Sequence, residues 1–519
     1  MAIFQPPQEN LPPEVMEIVL IIALLSALPI IFLILLQKNS RKYSTKSHPP
    51  LPGPPGIPII GNMHQFDPSA PHVYLGELSR KYGPLMSLKL GSMPVLVVSS
   101  ARMAEEVMKN HDLIFCSRPP MLGQRKLSYN GLDIAFALYN EQWRELRKIC
   151  VLHLLSSKRV QSFRPIREDE VYRMIQKIHR ESASSQVTDL THTLLSLTST
   201  MICRIGFGKR YDEEGQERKR FHFLLQEAQA MFVAFYFSDY FPTIGWLDKY
   251  TGMLSRLEKV FNKLDLFYQE LIDEHLDPNR PTSMDGDIID LLIQLQKDRS
   301  TPFDLTVDHI KATLMNVFFA GSETSAGTVI WAMTALIKNP TALEKAQNEI
   351  QEVLGEKKMI DEDDIQKLPY LKAIIKETMR LYPVAPLLVP RYTMESCILD
   401  GYEIQPKTTV YVNAWAIGRD PEYWENPHEF LPERFLNSTI DATGKHFQLI
   451  PFGAGRRGCP GYSLGIAAVE LALANLLNSF NWGLPSGVKK EDIDTDVLPG
   501  LAMLKKNALR LVAKKRVSS

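Results

Sequence analysis

The chain has 519 residues, and its 59 Lys and Arg are balanced by 59 Asp and Glu. With 45% hydrophobic and 23% charged residues it can bury a large core, which excludes a disordered, collagenous or fibrous protein. Without a basic excess a dedicated nucleic-acid binder is disfavoured. The five cysteines (Cys116, Cys150, Cys203, Cys397 and Cys459) are too scattered for a disulfide framework or a paired-cysteine zinc site, and a reducing compartment is expected.

In chain order the first element is the uncharged run Ile18–Leu36, close to the roughly 20 residues that a membrane-crossing helix needs. Pro29 within it is tolerated better in a membrane helix than in a soluble one. A cleaved signal peptide would have a basic start and a shorter apolar core, whereas Glu9, Glu14 and Glu17 precede this run. A buried core helix would show a polar face, and none is visible. Lys38, Arg41, Lys42 and Lys46 follow the run, so the bulk of the chain is expected on the cytosolic side. The expected order is a lumenal start at 1–17, a retained transmembrane signal anchor at 18–36, and a basic, proline-rich hinge at 37–58. Six prolines between Pro49 and Pro58 make the end of that hinge a stiff, extended spacer.

From residue 59 to 519 there is no repeat and no second linker, and one large body is expected. Strand-like runs occur at Met86–Leu90, Val95–Val98 and Thr409–Asn413. Helical periodicity dominates elsewhere, most strongly at Leu314–Ile337, Leu343–Leu354 and Leu368–Leu381. The fold class is therefore mainly α with a small β region.

The most informative stretch is Pro451-Phe452-Gly453-Ala454-Gly455-Arg456-Arg457-Gly458-Cys459-Pro460-Gly461, followed by the helical run Leu464–Leu477. Gly453, Gly455 and Gly458 match a dinucleotide-binding fingerprint. That fingerprint requires a βαβ unit with an acidic residue about 20 positions further on, where this chain has an apolar helix. Cys459 suggests other chemistry. It stands just before a helix whose first turn can carry Pro460, and a helix start favours an anion. A cysteine so placed is expected as a thiolate with a lowered pKa. A lone thiolate cannot build a zinc or iron–sulfur site, but it suffices as the single axial ligand of a haem iron.

This stretch resembles the haem-binding signature FxxGxRxCxG of the cytochrome P-450 monooxygenases, matched by Phe452, Gly455, Arg457, Cys459 and Gly461. Further motifs in the right order resemble the same family. Glu377 and Arg380, three apart on one helix face, resemble its ExxR, and Pro432-Glu433-Arg434-Phe435 its PERF. The resemblance implies that Arg434 joins Glu377 and Arg380 in a network behind the haem. Ala320-Gly321-Ser322-Glu323-Thr324-Ser325 interrupts an apolar helix from about Val307 to Lys338. Read locally, a mid-helix hydroxyl can simply bend the helix, and small residues admit a close approach. By resemblance this is the oxygen-binding motif, in which Thr324 hydrogen-bonds dioxygen and Glu323 relays protons. Trp143-Arg144-Glu145-Leu146-Arg147 resembles WxxxR. The resemblance assigns Trp143, Arg147, Arg457 and Arg391 to the haem propionates.

The implied fold is that of the P-450 family preceded by one transmembrane helix, and the implied cofactor is haem b with Cys459 as axial thiolate. The anchor, the hinge and segments such as Lys81-Tyr82-Gly83-Pro84 and His111-Asp112-Leu113-Ile114-Phe115 resemble the plant microsomal branch. That branch implies a single-pass protein of the endoplasmic reticulum membrane. It implies electrons from an NADPH-cytochrome reductase, with cytochrome b5 as a further donor. The implied reaction inserts one oxygen atom from O2 into a small hydrophobic specialised metabolite, a terpenoid, a phenylpropanoid or coumarin, or an alkaloid. The segments expected to line the substrate site are a loop near Met121–Tyr129, the aromatic stretch Phe232–Phe241, the helix face Met315–Ser322, Val384–Val389 and Leu501–Leu504. Phe232–Phe237 reads equally as a core or membrane-dipping stripe. Two other functions stay open: a haem-thiolate isomerase or dehydratase working without a reductase, and a non-enzymatic membrane haem protein.

Overall fold

The computed structural model describes residues 48–516 other than 185, 212–214, 281–285 and 356. The expected anchor at 18–36, the lumenal start and the hinge up to residue 47 lie outside the described residues. Among those residues no helix is long and apolar enough to cross a membrane.

The helices that frame the site are α1 (Pro71–Tyr82), α2 (Leu122–Leu127), α3 (Glu141–Ile149), α4 (Arg164–Ala183), α5 (Leu190–Phe207), α6 (Gln216–Phe232), α7 (Met253–Leu276), α8 (Val307–Lys338), α9 (Pro369–Leu381) and α10 (Tyr462–Ser479). Helix α8 is the axis of the molecule. It starts on a Thr306 cap, stops before Pro340, and is buried around most of its circumference, as expected of a helix apolar on all sides. Met121–Tyr129, expected as a loop, instead winds into the short helix α2.

The strand-like runs form one sheet. Strand β1 (Leu85–Leu90) pairs antiparallel with β2 (Met93–Val98), β2 pairs parallel with β4 (Thr409–Val412), and β4 pairs antiparallel with β3 (Arg391–Tyr392). The parallel pair, with Val95 opposite Thr409, ties the two ends of the chain together and brings Arg391 to the sheet edge. One apolar core is built from α4, α5, α8, α9 and α10, and a second joins α5 and α8 to α6 and α7.

The small residues at the middle of α8 serve this packing. A Cβ on Gly321 would lie 2.3 Å from Cδ1 of Ile202, so what comes close to the helix here is α5. Thr198 of α5 donates its hydroxyl to the carbonyl of Ser322 at 2.5 Å, and Ser322 donates to the carbonyl of Phe318 at 2.7 Å.

Candidate active site

Helix α8 is open to solvent at one place in its buried middle. Ala320 and Thr324, one turn apart, are exposed, Thr328 is half-buried, and Ser322, Ser325, Ala326 and Gly327 around them are buried. Residues spaced by four share a helix face, so this stripe is the wall of an internal cleft. The Thr324 hydroxyl donates to the Ala320 carbonyl at 2.6 Å, which leaves its own oxygen facing the cleft as an acceptor. Glu323, on the neighbouring face, is half-buried, and burial raises its pKa against the opposing effect of a hydrogen bond from Gln229 of α6.

Helix α10, which follows the cysteine loop, packs on α8 beside this stripe: Gly465 near its start lies within 3.6 Å of Ser325 Oγ, measured to its missing Cβ. The loop is held by backbone. Gly453 and Gly455 both take φ +67°, and Cys459 N–H donates to the Phe452 carbonyl at 2.9 Å. Only glycine fits at 455, where a Cβ would come within 2.2 Å of the Met108 carbonyl oxygen. The Phe452 ring packs edge-on against Tyr462 at 4.9 Å. Helix α10 is capped by Gly461, so Pro460 precedes the cap and does not fill the first turn.

Cys459 is accessible to solvent, yet burial raises the pKa of its thiol. The two agree if the sulfur faces an enclosed cleft lined by protein. The Gly461 N–H and then Arg147 act in the opposite direction. The lowered pKa expected from the helix start is therefore not realised, because desolvation outweighs one amide and one guanidinium. A bound cation would restore the thiolate.

Arg147 also donates to the carbonyl of Gly458. Arg457 is buried and donates to the carbonyls of Cys116, Ile134 and Ala137 at 2.6, 3.2 and 2.6 Å. Its guanidinium lies 3.9 Å from the centre of the Trp143 ring, and the Trp143 indole donates to the Ile134 carbonyl at 3.0 Å. Arg391 pairs with Asp112 at 2.8 Å and donates to the Ala454 carbonyl at 2.7 Å. Cys459, Arg457, Arg147, Trp143, Arg391, Phe452 and Gly455 thus gather around one loop, with Thr324 and Glu323 on the helix wall.

Four contributors were not legible as site residues. Arg118 is buried and donates to the carbonyls of Ala135, Val389 and Pro390 at 2.8, 2.6 and 2.8 Å. Asp112, read in the sequence only as a mark of the plant branch, holds Arg391 and also accepts from Arg456 at 3.0 Å. Asp133 accepts from the N–H of Phe136 and from the side chain of Asn316 on α8 at 2.9 Å. Asn316 in turn accepts from the N–H of Ile134 at 2.9 Å. Loop 133–137 is therefore clamped to α8, and its carbonyls position Arg118, Trp143 and Arg457. The available signal was an arginine followed by two prolines, Arg118-Pro119-Pro120, in an apolar stretch.

The family model described as Cytochrome P450 matches residues 51–512. The chain belongs to the cytochrome P450 family. It is 51% identical over 500 residues to 6,7,8-trihydroxycoumarin synthase of Pastinaca sativa, covering 95% of this chain and 98% of that one. It is 48% identical to xanthotoxol synthase of the same plant, over 94% of this chain and 97% of that one. Cytochrome P450 71A1 of Persea americana is 48% identical, over 88% of this chain and 92% of that one. Among solved structures, a zebra fish cytochrome P450 with abiraterone superposes with a TM-score of 0.71 at 28% identity, covering 86% of this chain and 99% of that one.

As a P450 the protein is a haem-thiolate monooxygenase that uses O2, a small substrate and a redox partner. The residues present fit haem. Arg118, Arg147, Arg391 and Arg457 crowd the cleft floor, where the ion-paired Asp112 and the amide-bound Asp133 are too few carboxylates to balance them. Burial and the mutual repulsion of these arginines lower the pKa of Arg457 to about 9 despite Cys116 and Asp133. Two additional carboxylates, such as haem propionates, would neutralise this surplus.

Proposed function

We propose that the protein is a membrane-bound plant monooxygenase that hydroxylates a coumarin-type phenolic, with Cys459 as the haem ligand. The observation that carries the reading is a solvent-reached thiol and the Thr324 hydroxyl opening onto one internal cleft floored by unbalanced arginines. Arg457, Arg147, Arg391 and Trp143 hold the propionate end, with Arg118 beside them. Phe452 and Gly455 shape the loop that seats the sulfur.

Haem, when bound, supplies the reductive activation of O2. The chain's own residues position the substrate and move protons. Glu323, whose raised pKa keeps it protonated to higher pH than an ordinary carboxyl, carries a proton between solvent and cleft. Thr324, whose hydroxyl can rotate away from the Ala320 carbonyl, holds that proton at the cleft face. The substrate end of the cleft is aromatic. Phe232 stacks on Phe136 at 5.0 Å and meets Phe319 edge-on at 5.0 Å, one residue before Ala320. Planar rings of this kind suit a fused aromatic lactone, and the coumarin synthases to which the chain is similar support that class.

The anchor at 18–36 places the protein in the endoplasmic reticulum membrane, single-pass, with residues 59–519 on the cytosolic side. The redox partner is an NADPH-cytochrome reductase, with cytochrome b5 as a second donor. Arg144, Lys148 and Arg456 are exposed beside the cysteine loop and offer an acidic partner a basic face.

Membranes carrying the full chain, reductase and NADPH should convert a member of a coumarin panel to a product heavier by one oxygen. Omitting the reductase should abolish conversion, and turnover without it would favour the isomerase or dehydratase alternative. In Cys459→His the thiolate band of the reduced carbon-monoxide spectrum should disappear. A band left unchanged would refute the ligand assignment.

A further inference from the structure

A cavity of about 430 Å³ opens on the flank of the molecule between α1, the end of α9 and the segment 495–506, and nothing in the reaction uses it. Its size suits a small organic ligand. It is separate from the haem cleft. Moving along α8 from Thr324, a Cβ on Gly327 would meet Leu504 at 2.7 Å and Val384 at 3.2 Å. Trp331 then donates its indole N–H to the Met503 carbonyl at 3.3 Å. Trp331 and Met503 are both buried and line the cavity, whose walls include neither Thr324 nor Cys459.

The lining has a specific chemistry. The rings of Trp331 and Tyr382 stack at 5.0 Å with 6° between their planes, and Trp415 faces the cavity as well. The Arg419 guanidinium lies 4.2 Å from the Trp415 ring centre. Arg419 donates to the carbonyls of Leu381 and Trp415 at 2.6 and 3.4 Å, and among the described residues it has no carboxylate partner. Burial and the nearby Arg380 lower its pKa to about 9, so it remains a cation at neutral pH. His72 is 5% exposed, and its Nδ1 is buried without a hydrogen-bond partner. Lys506 stands at the rim, exposed, opposite the exposed Asp496.

Arg419 is half-buried on the cavity wall without a carboxylate partner, and its planar guanidinium is suited to receive one from a ligand. We propose that this cavity is a second binding site, distinct from the substrate site, for a planar aromatic carboxylate. Its carboxylate meets Arg419, and its ring lies along Trp415 and Tyr382. Asp496 repels an anion at the rim, so the charge is directed inward to Arg419.

The test uses full-length holoprotein in detergent, with the haem site saturated by the iron-binding azole clotrimazole. Equilibrium dialysis with radiolabelled cinnamate should then show one saturable equivalent, and cinnamyl alcohol should compete at least tenfold more weakly. Arg419→Gln should weaken cinnamate at least tenfold and Lys506→Glu several-fold, with the carbon-monoxide spectrum retained. Absence of saturable binding at millimolar cinnamate, or equal competition by the alcohol, would overturn the site. If Arg419→Gln fails to fold, the exposed Lys506→Glu decides, and an unchanged affinity there overturns it.

Discussion

Glu377 is fully buried, and its partners explain how. It accepts from Nε and Nη2 of Arg380, each at 2.7 Å, from Arg434 at 3.1 Å and from the N–H of Leu431 at 2.8 Å. Arg380 spends its other donors on the carbonyls of Gly418, Pro427 and Glu429. A pair spaced three apart is usually a surface feature worth a few tenths of a kcal/mol. Here desolvation makes it all-or-none. Glu377→Gln should cost about 3–5 kcal/mol, because Arg380 is left buried and uncompensated. Urea unfolding of the purified protein measures this, and a loss below 1 kcal/mol would contradict the network. The motif itself was legible in the sequence. The three carbonyls that complete Arg380 were not, because carbonyls carry no residue identity.

At the scale of elements, α5 and α8 meet at the small-residue segment Ala320–Ser325. Gly321 lets Ile202 come close, and Thr198 satisfies the carbonyl of Ser322. The motif is therefore both a packing seam and a cleft wall. Gly321→Ala should destabilise by about 1–3 kcal/mol through overpacking. Ile202→Ala in the same chain should recover part of that loss, since neighbouring sites are coupled. Additive losses in this double-mutant cycle would show that α5 does not press on Gly321. Helix ends were readable because caps and prolines are local, and α8 spans Val307–Lys338 as its pattern implies. The direction of the small residues was not readable, because periodicity cannot tell a helix neighbour from a ligand.

On the whole molecule, one corner carries exposed apolar residues. Trp246 is 57% and Tyr250 79% exposed, and Ile57 and Ile59 at the end of the hinge are exposed too. The two groups adjoin, since Ser92 donates to the Tyr240 carbonyl at 2.7 Å and Gly91 to that of Ile60 at 3.1 Å. If the proposed anchor holds the chain at a membrane, this patch is expected to touch the bilayer. Full-length protein in vesicles with brominated acyl chains should show quenched tryptophan emission that Trp246→Phe largely removes. Unchanged quenching would place the patch in water. Acid should act globally through His72, whose pKa is lowered to about 4 by burial and then by Arg419. A base with a depressed folded pKa contributes stability above its unfolded value near 6.5 that is lost as pH falls toward 4. Between pH 7 and pH 5 the loss should be about 2 kcal/mol, and His72→Phe should flatten that part of the denaturation profile.

The sequence by itself determined the family, the mostly helical class, the cysteine loop and the pairing of Glu377 with Arg380. Each rests on residues close together in the chain, where spacing alone sets chemistry. Tertiary structure decided that burial pushes the Cys459 thiol up, that Asp112 and Arg118 join the arginine cluster beside the cysteine loop, and that His72 and Arg419 share a cavity. Those outcomes depend on desolvation and on partners far apart in sequence: Arg391 with Asp112, Asn316 with Asp133. Neither desolvation nor a distant partner can be read from residues in a row.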